Sequence, residues 1–194
     1  MPALNNTETI SAEIRGLFEH YGNADYDGEP VTQTSHMIQS GMRAMSEGGD
    51  IELILGSFLH DIGHLLRHVN QVDKMGEYGV VNHEGLGAAY LRNKGFSERI
   101  YAMVENHVAA KRFLVATVPG YFDKLSPASI ETLKLQGGPM GEDEINLFRQ
   151  HPFFEDIIKV RTWDEEAKIE NAVLLPLNHF MSLINQYLKD CKNI

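Results

Sequence analysis

The run His60-Asp61-Ile62-Gly63-His64 sets an imidazole beside a carboxylate, with a second imidazole one helical turn on. An adjacent His-Asp pair can offer two donor types to one metal ion. His36 lies upstream, and His83 and His107 follow, at intervals of 22 to 24 residues. That spacing suits one ligand per helix in a small bundle. So many nitrogen and carboxylate donors leave room for two metal ions.

The neighbours of the pair sharpen this reading. Leu53, Leu55, Phe58 and Leu59 make the preceding stretch apolar, so Asp61 is expected to be buried. A buried carboxylate is costly unless it is paired or metal-bound. The plainer alternative is a buried Asp-His hydrogen-bonded pair; three further histidines on candidate helices favour ligation. His20, His68, His151 and His179 lack such a context and are expected to be structural or exposed. A last carboxylate ligand is expected from Asp156, Asp164, Glu165 or Glu166. Asp164 follows Trp163, Ile157, Ile158 and Val160, so it could face inward at a helix end.

Helix geometry adds a second inference. His64 is four residues after His60, Lys111 four after His107, and Arg161 three before Asp164. Each lies one turn from a candidate ligand. Singly they read as solvated charges, with Lys111-Arg112 a simple surface pair. Together they suggest a positive pocket beside the metals, fit for a compact dianion such as a phosphate or phosphonate. Arginine would act as a bidentate clamp and lysine as a point charge.

The elements that must position these groups are helical. Ile10, Ile14, Leu17 and Phe18 repeat with helical period behind Thr7, a possible cap. Residues 21–30 read as a polar loop. A helix starting near Thr32 or Thr34 carries His36, and residues 51–60 form an apolar helix, with Gly63 marking its end or a close packing point. Residues 70–80 read as a loop. Further helices are expected at about 82–94, 97–116, 126–136, 142–149, 152–162 and 177–191, with a break at Gln136-Gly137-Gly138-Pro139. Strand alternation is missing beyond fragments, so the expected fold is all-α: a single helical bundle over residues 1–194, led by an N-terminal helix within residues 1–23.

Composition narrows the chemistry. The 194 residues are 43% hydrophobic and carry a formal net charge of -10, without Lys/Arg runs. Nucleic acid and anionic membranes are therefore not expected partners. Cys191 stands alone, and nine histidines suit a His/carboxylate site rather than a zinc-thiolate one. The first nine residues are polar, and no apolar run approaches a membrane span. A soluble, cytoplasmic protein is expected.

These motifs resemble the HD-domain mixed-valence diiron oxygenases, which include myo-inositol oxygenase, and most of all those members that cleave the carbon-phosphorus bond of 1-hydroxy-2-aminoethylphosphonates. The resemblance runs from about residue 24 to 165. It is carried by DYDGE at 25–29, HDIGH at 60–64, GEYGVVNHEGLGAAYL around His83 and GFSERI leading into ENHVAAKRFLV around His107. LSPAS ending at Ser129, QGGPM at 136–140 and VRTWDE around Asp164 complete it. HVAAK and QGGPM discriminate far better than the His-Asp pair.

The resemblance implies an HD-domain fold and two iron ions, a ferric/ferrous pair, with dioxygen as co-substrate. One iron would be held by His36, His60, Asp61 and Asp164. The other would be held by His83 and His107, with Asp61 bridging. His64, Lys111, Ser129 and Arg161 match phosphonate contacts, while Tyr26 and Glu29 match a mobile pair that covers the iron until substrate enters. Tyr26, Glu29 and Lys111 are thereby expected to be catalytic. The implied substrate is a small organophosphonate: (1R)-1-hydroxy-2-(trimethylammonio)ethylphosphonate or 2-amino-1-hydroxyethylphosphonate, yielding phosphate and glycine betaine or glycine.

The segment up to Asn23 and residues 30–35 depart from the amine-specific pattern. A trimethylammonium group has no lone pair for iron and would want aromatic faces and carboxylates, which Tyr21, Asp25, Tyr26 and Asp27 could supply. The trimethylammonium substrate is therefore favoured. The rival enzyme is a metal-dependent phosphohydrolase acting on a nucleotide or small phosphate ester. Metal-activated water suits an ester, whereas carbon is too poor a leaving group for hydrolysis of a carbon-phosphorus bond. A catalytically dead regulatory HD domain would lack ligands, and here every candidate is present. Oligomeric state is not legible.

Overall fold

The structure, a computed structural model, describes residues 6–26, 28–66 and 82–191. The expected loop at 70–80, His68, Asp27 and the first residues of the motif before His83 lie outside them. Ten α-helices follow in order: α1 (Asn6–Tyr21), α2 (Gln33–Ser46), α3 (Ile51–Leu59), α4 (Ile62–Leu66), α5 (His83–Asn93), α6 (Glu98–Thr117), α7 (Pro127–Leu135), α8 (Glu142–Phe148), α9 (Phe154–Glu166) and α10 (Leu177–Asp190). Among the described residues no strand forms, only an isolated bridge between Asp25 and Thr32, so the all-α expectation holds. No helix among them is long and apolar enough to cross a membrane.

Side-chain caps start the helices where the sequence offers them. Thr32, Asp50, Ser97 and Ser126 accept from the backbone N–H three residues on, opening α2, α3, α6 and α7. Each such cap is worth about 1 kcal/mol. Thr7 does not cap α1: it lies within the helix and is buried.

α3 is apolar almost all round, which predicts burial on every side. It packs against α2, α6, α9 and α10, with Leu55, Phe58 and Leu59 fully buried. Two hydroxyls lock it to α2. Ser57 Oγ donates to the Ser40 carbonyl at 2.9 Å and lies 2.7 Å from Ser40 Oγ. Arg99, on the first turn of α6, ties that end of the bundle together through Asp50 and Asp156, both at 2.7 Å.

Two departures from the sequence reading bear on the site. The helix through His60 stops at Leu59 and resumes at Ile62, so His60 and Asp61 occupy the joint. Gly63 proves to be a packing point: a Cβ there would fall 1.9 Å from the His83 carbonyl oxygen. Only glycine lets α4 press onto the start of α5. Secondly, α9 runs on to Glu166, past its expected end at 162, and Asp164 lies buried in its last turn, near the helix end where it was expected.

Candidate metal centre

Five elements bring their donors to one place: α2 (His36), the α3–α4 joint (His60, Asp61), the first residue of α5 (His83), α6 (His107) and α9 (Asp164). All six side chains are buried. They form two groups that could each hold a metal ion, His36/His60/Asp164 and Asp61/His83/His107. Asp61 faces both. Its Oδ1 lies 3.3 Å from Nε2 of His83 and of His107, while its Oδ2 lies 3.5 and 3.4 Å from Nε2 of His36 and His60. One carboxylate thus spans the two groups.

The donor geometry fits metal ions. Nδ1 of His36 donates to the Ala167 carbonyl at 3.0 Å, and Nδ1 of His60 and His107 to the Ser57 and Val104 carbonyls, both at 2.7 Å. A carbonyl oxygen only accepts, so those Nδ1 atoms carry the protons and a neutral ring turns its Nε2 lone pair inward. Nε2 of His36 and His60 then face each other at 3.1 Å, as do those of His83 and His107. Lone pairs so close repel unless a cation lies against both. Asp61 Oδ2 and Asp164 Oδ1 are buried without a hydrogen-bond partner, which is costly unless something positive meets them. Donors about 2.1 Å from a shared ion stand about 3.0 Å apart at right angles and about 3.4 Å at the tetrahedral angle. Asp164 Oδ1 lies 3.2 and 3.6 Å from Nε2 of His36 and His60, in the same range.

The electrostatics agree. Burial pushes the Asp61 carboxyl up, yet the charge of His60 and the close imidazoles of His107, His36 and His60 hold it well below the usual range. Burial also opposes ionisation of Asp164, and Arg161 and His60 overcome it. The same carboxylates raise His60 to about 10 against its own burial and raise His36. His107, facing only Asp61, is lowered by burial. The two carboxylates call for positive charge, supplied by protons or, with better geometry, by metal. Nitrogen and oxygen donors without thiolate suit several first-row metals.

A basic wall adjoins the second group. Tyr26, Glu29, His64, Lys111, Ser129 and Arg161 line one pocket with Asp61, His83, His107 and Asp164. Arg161 donates to Asp164 and Glu165, and through Nε to the Tyr121 hydroxyl at 3.2 Å. Lys111 is 4% exposed and donates to Thr132 Oγ1 at 2.8 Å. Burial, with help from the Arg161 charge, brings its ammonium down to about 7. The His64 ring stacks on His83, centroids 4.1 Å apart.

The other candidates fall elsewhere. Asp156 pairs with Arg99 at 2.7 Å and Glu166 with Arg43 at 3.6 Å, while Glu165 bonds Arg161 and Lys168. His20 Nδ1 donates to the Gly16 carbonyl at 2.7 Å, and His151 Nδ1 accepts from the Phe153 N–H at 3.1 Å. Asp25 is exposed and Tyr21 packs against the core, so neither lines the pocket.

The HD domain model matches residues 33–175, nearly three-quarters of the chain. The chain belongs to the HD-domain family. Among its relatives, "[1-hydroxy-2-(trimethylamino)ethyl]phosphonate dioxygenase (glycine-betaine-forming)" of Leisingera caerulea is 40% identical over 181 residues, covering 93% of this chain and 91% of the relative. "Hydroxymethylphosphonate dioxygenase" of Gimesia maris is 32% identical over 194 residues, covering 96% and 93%. "Uncharacterized protein L432" of Acanthamoeba polyphaga mimivirus is 38% identical over 192 residues, covering 97% and 88%.

This HD-domain chain also places residues at the pocket that sequence reasoning passed over. Thr132 and Gln136 line it, three and seven residues after Ser129, and their shared helical face was the available signal. Lys168 bonds Ser129 and Glu165, both at 3.0 Å. It lies two residues beyond the end of α9, on no helical face, so periodicity gave no signal for it.

Proposed function

We propose that this chain is a dioxygen-dependent oxidoreductase that cleaves the carbon-phosphorus bond of a 1-hydroxyphosphonate at a diiron centre. The observation that carries this reading is the double-faced Asp61 carboxylate, set between two donor groups and beside the Arg161–Lys111 wall. The relatives named as phosphonate dioxygenases support the reaction class. The favoured substrate carries a trimethylammonium group, as in the relative at 40% identity, with glycine betaine and phosphate as products.

The balance needs no external reductant. The C1–H and C1–P bonds break, one oxygen atom is added to each fragment, and dioxygen takes all the electrons released. The products are a carboxylate, inorganic phosphate and a proton. When bound, a redox-active metal pair supplies the oxidising chemistry that hydrolysis cannot.

The chain's own residues bind, orient and exclude. His36, His60, Asp61 and Asp164 would hold one metal, and His83, His107 and the shared Asp61 the other, which has fewer protein donors and so more room for substrate. Arg161, Lys111, His64 and Ser129 would take the phosphonate oxygens and stabilise the charge that leaves with phosphorus. Tyr26 and Glu29 cover the mouth and exclude water until substrate displaces them.

The test is phosphate release by iron-loaded protein, in air and without oxygen. The amino and trimethylammonium hydroxyphosphonates are compared with a phosphate monoester. Release only in air, only from the phosphonates and fastest from the trimethylammonium compound is expected. Anaerobic release from the monoester would replace the oxygenase with a phosphohydrolase.

A further inference from the structure

Lys168 lies two residues beyond α9 in a segment clamped on both sides. The Ala167 carbonyl accepts from the ligand candidate His36 at 3.0 Å. Ile169 N–H donates to Gln39 Oε1, and its carbonyl accepts from Gln39 Nε2, both at 3.0 Å. Between these anchors the Lys168 ammonium reaches Glu29 Oε1, Glu165 Oε1 and Ser129 Oγ, each at 3.0 Å, and Ser126 Oγ at 3.2 Å. An ammonium has three N–H donors. Four acceptors therefore share three protons, and any one partner can leave without stranding the charge.

The consequence falls on the anion side of the pocket. The Glu29 and Glu165 side chains are only 7% and 12% exposed, and both stand beside Ser129. Arg161 is already divided between Asp164 and Glu165. Without Lys168, the two glutamates would set negative charge against an incoming dianion in a setting where water screens little. Ser129 Oγ donates to Glu165 Oε2 over a long 3.4 Å, a weak bond that is readily exchanged for a phosphonate oxygen while Lys168 holds the hydroxyl from behind.

We propose that Lys168 is a positioning residue for the phosphonate end of the substrate. It neutralises Glu29 and Glu165 and fixes the Ser126 and Ser129 hydroxyls so that the pocket accepts a dianion. When Glu29 swings away, its remaining three partners keep Lys168 in place. The inference deepens the function proposed above and rests on it for the identity of the anion.

The test compares Lys168→Met and Lys168→Arg with wild type as metal-loaded full chains. Metal content, calorimetric binding of inorganic phosphate, and KM and kcat for the hydroxyphosphonate are read. Both variants should keep wild-type metal. Lys168→Met should weaken phosphate binding and raise KM by about tenfold, the loss expected for one charged hydrogen-bonding group. Its kcat should stay within about threefold, the split expected when ground-state binding is lost, and Lys168→Arg should recover most of the binding. Unchanged phosphate affinity and KM in Lys168→Met, a fall in kcat alone, or no recovery by arginine would overturn the role. Should Lys168→Met fail to fold, Lys168→Gln, polar but uncharged, is read in its place by the same criteria. Phosphate binding needs no turnover. A Lys168-dependent phosphate site in a wild type that releases nothing from phosphonates would retire the proposed reaction and leave the anion role standing.

Discussion

Tyr26 lies flat on His36, with ring centroids 4.1 Å apart and planes 14° from parallel. Burial, together with the negative charges of Asp61 and Asp164, keeps its phenol protonated far above neutral pH. Tyr26 thus lines the pocket together with the carboxylate shared by both donor groups. Under the proposed function Tyr26 covers the pocket, so Tyr26→Phe, which keeps the stacked ring and removes the hydroxyl, should raise substrate affinity by about threefold to tenfold, the worth of one ordinary hydrogen bond. Anaerobic substrate titration of metal-loaded protein checks this, and weaker binding would show that the hydroxyl helps to hold substrate.

Asp61→Ala should lose metal from both groups, since one of its oxygens belongs to one group and the other faces the histidines of the second. Removing residues that merely support ligands costs about tenfold to a hundredfold in affinity, and loss of a shared ligand should exceed that. Elemental analysis after dialysis would read near two metals per chain in wild type and below one in the variant. A fully loaded, active variant would remove Asp61 from the centre.

Lys111 and Arg161 should separate when truncated, although the one-turn argument treats them alike. Lys111 bonds Thr132, so Lys111→Ala should keep both metals while raising KM by about tenfold to a hundredfold. Arg161 also grips Asp164, so Arg161→Ala should lose metal affinity as well as substrate affinity. Metal content measured beside a substrate titration distinguishes the two. The Lys111 ammonium, brought down to about 7, carries its charge below that pH and loses it above. Phosphonate affinity should therefore decline as pH rises through 7, and Lys111→Ala should lack this decline.

Metal uptake should release protons. His60 is raised above its ordinary value to about 10 in the metal-free chain. Its protonated form therefore adds stability that is fully present below about 6.5 and lost as pH rises through about 10. A metal must displace that proton, so affinity should climb between those limits by about tenfold per pH unit for each proton displaced. Calorimetric titration in buffers of different ionisation enthalpy counts the protons, and a pH-independent affinity would contradict the scheme.

Much of the centre was legible because burial makes ionisable residues conspicuous. His60 and Asp61 stand out against Leu53, Leu55, Phe58 and Leu59, and the caps Thr32, Asp50, Ser97 and Ser126 mark helix starts by their chemistry alone. The choice among the C-terminal acids was less open than it looked. Ile157, Val160, Arg161 and Asp164 form one buried stripe of α9 with helical period, but ending that helix at 162 hid the last member. Lys168 was harder to find. Glu165 and Glu166 stood only as alternative metal ligands and Lys168 carried no motif, and only the fold returns Lys168 to Glu29 and Ser129 from far along the chain. The helix end at Leu59 falls one residue from the expected end at His60, although Leu59 and Ile62 continue the apolar pattern across the joint.

The six donors come from elements that are otherwise held together mainly by apolar side chains. An ion gripped by His36, His60 and Asp164 staples α2, the α3–α4 joint and α9 into one knot, and a second ion sews α5 and α6 to the same joint through Asp61. Metal loading should therefore add to stability, and a chelator should lower the unfolding temperature of the folded chain as well as stop its chemistry, as melting curves with and without chelator would show.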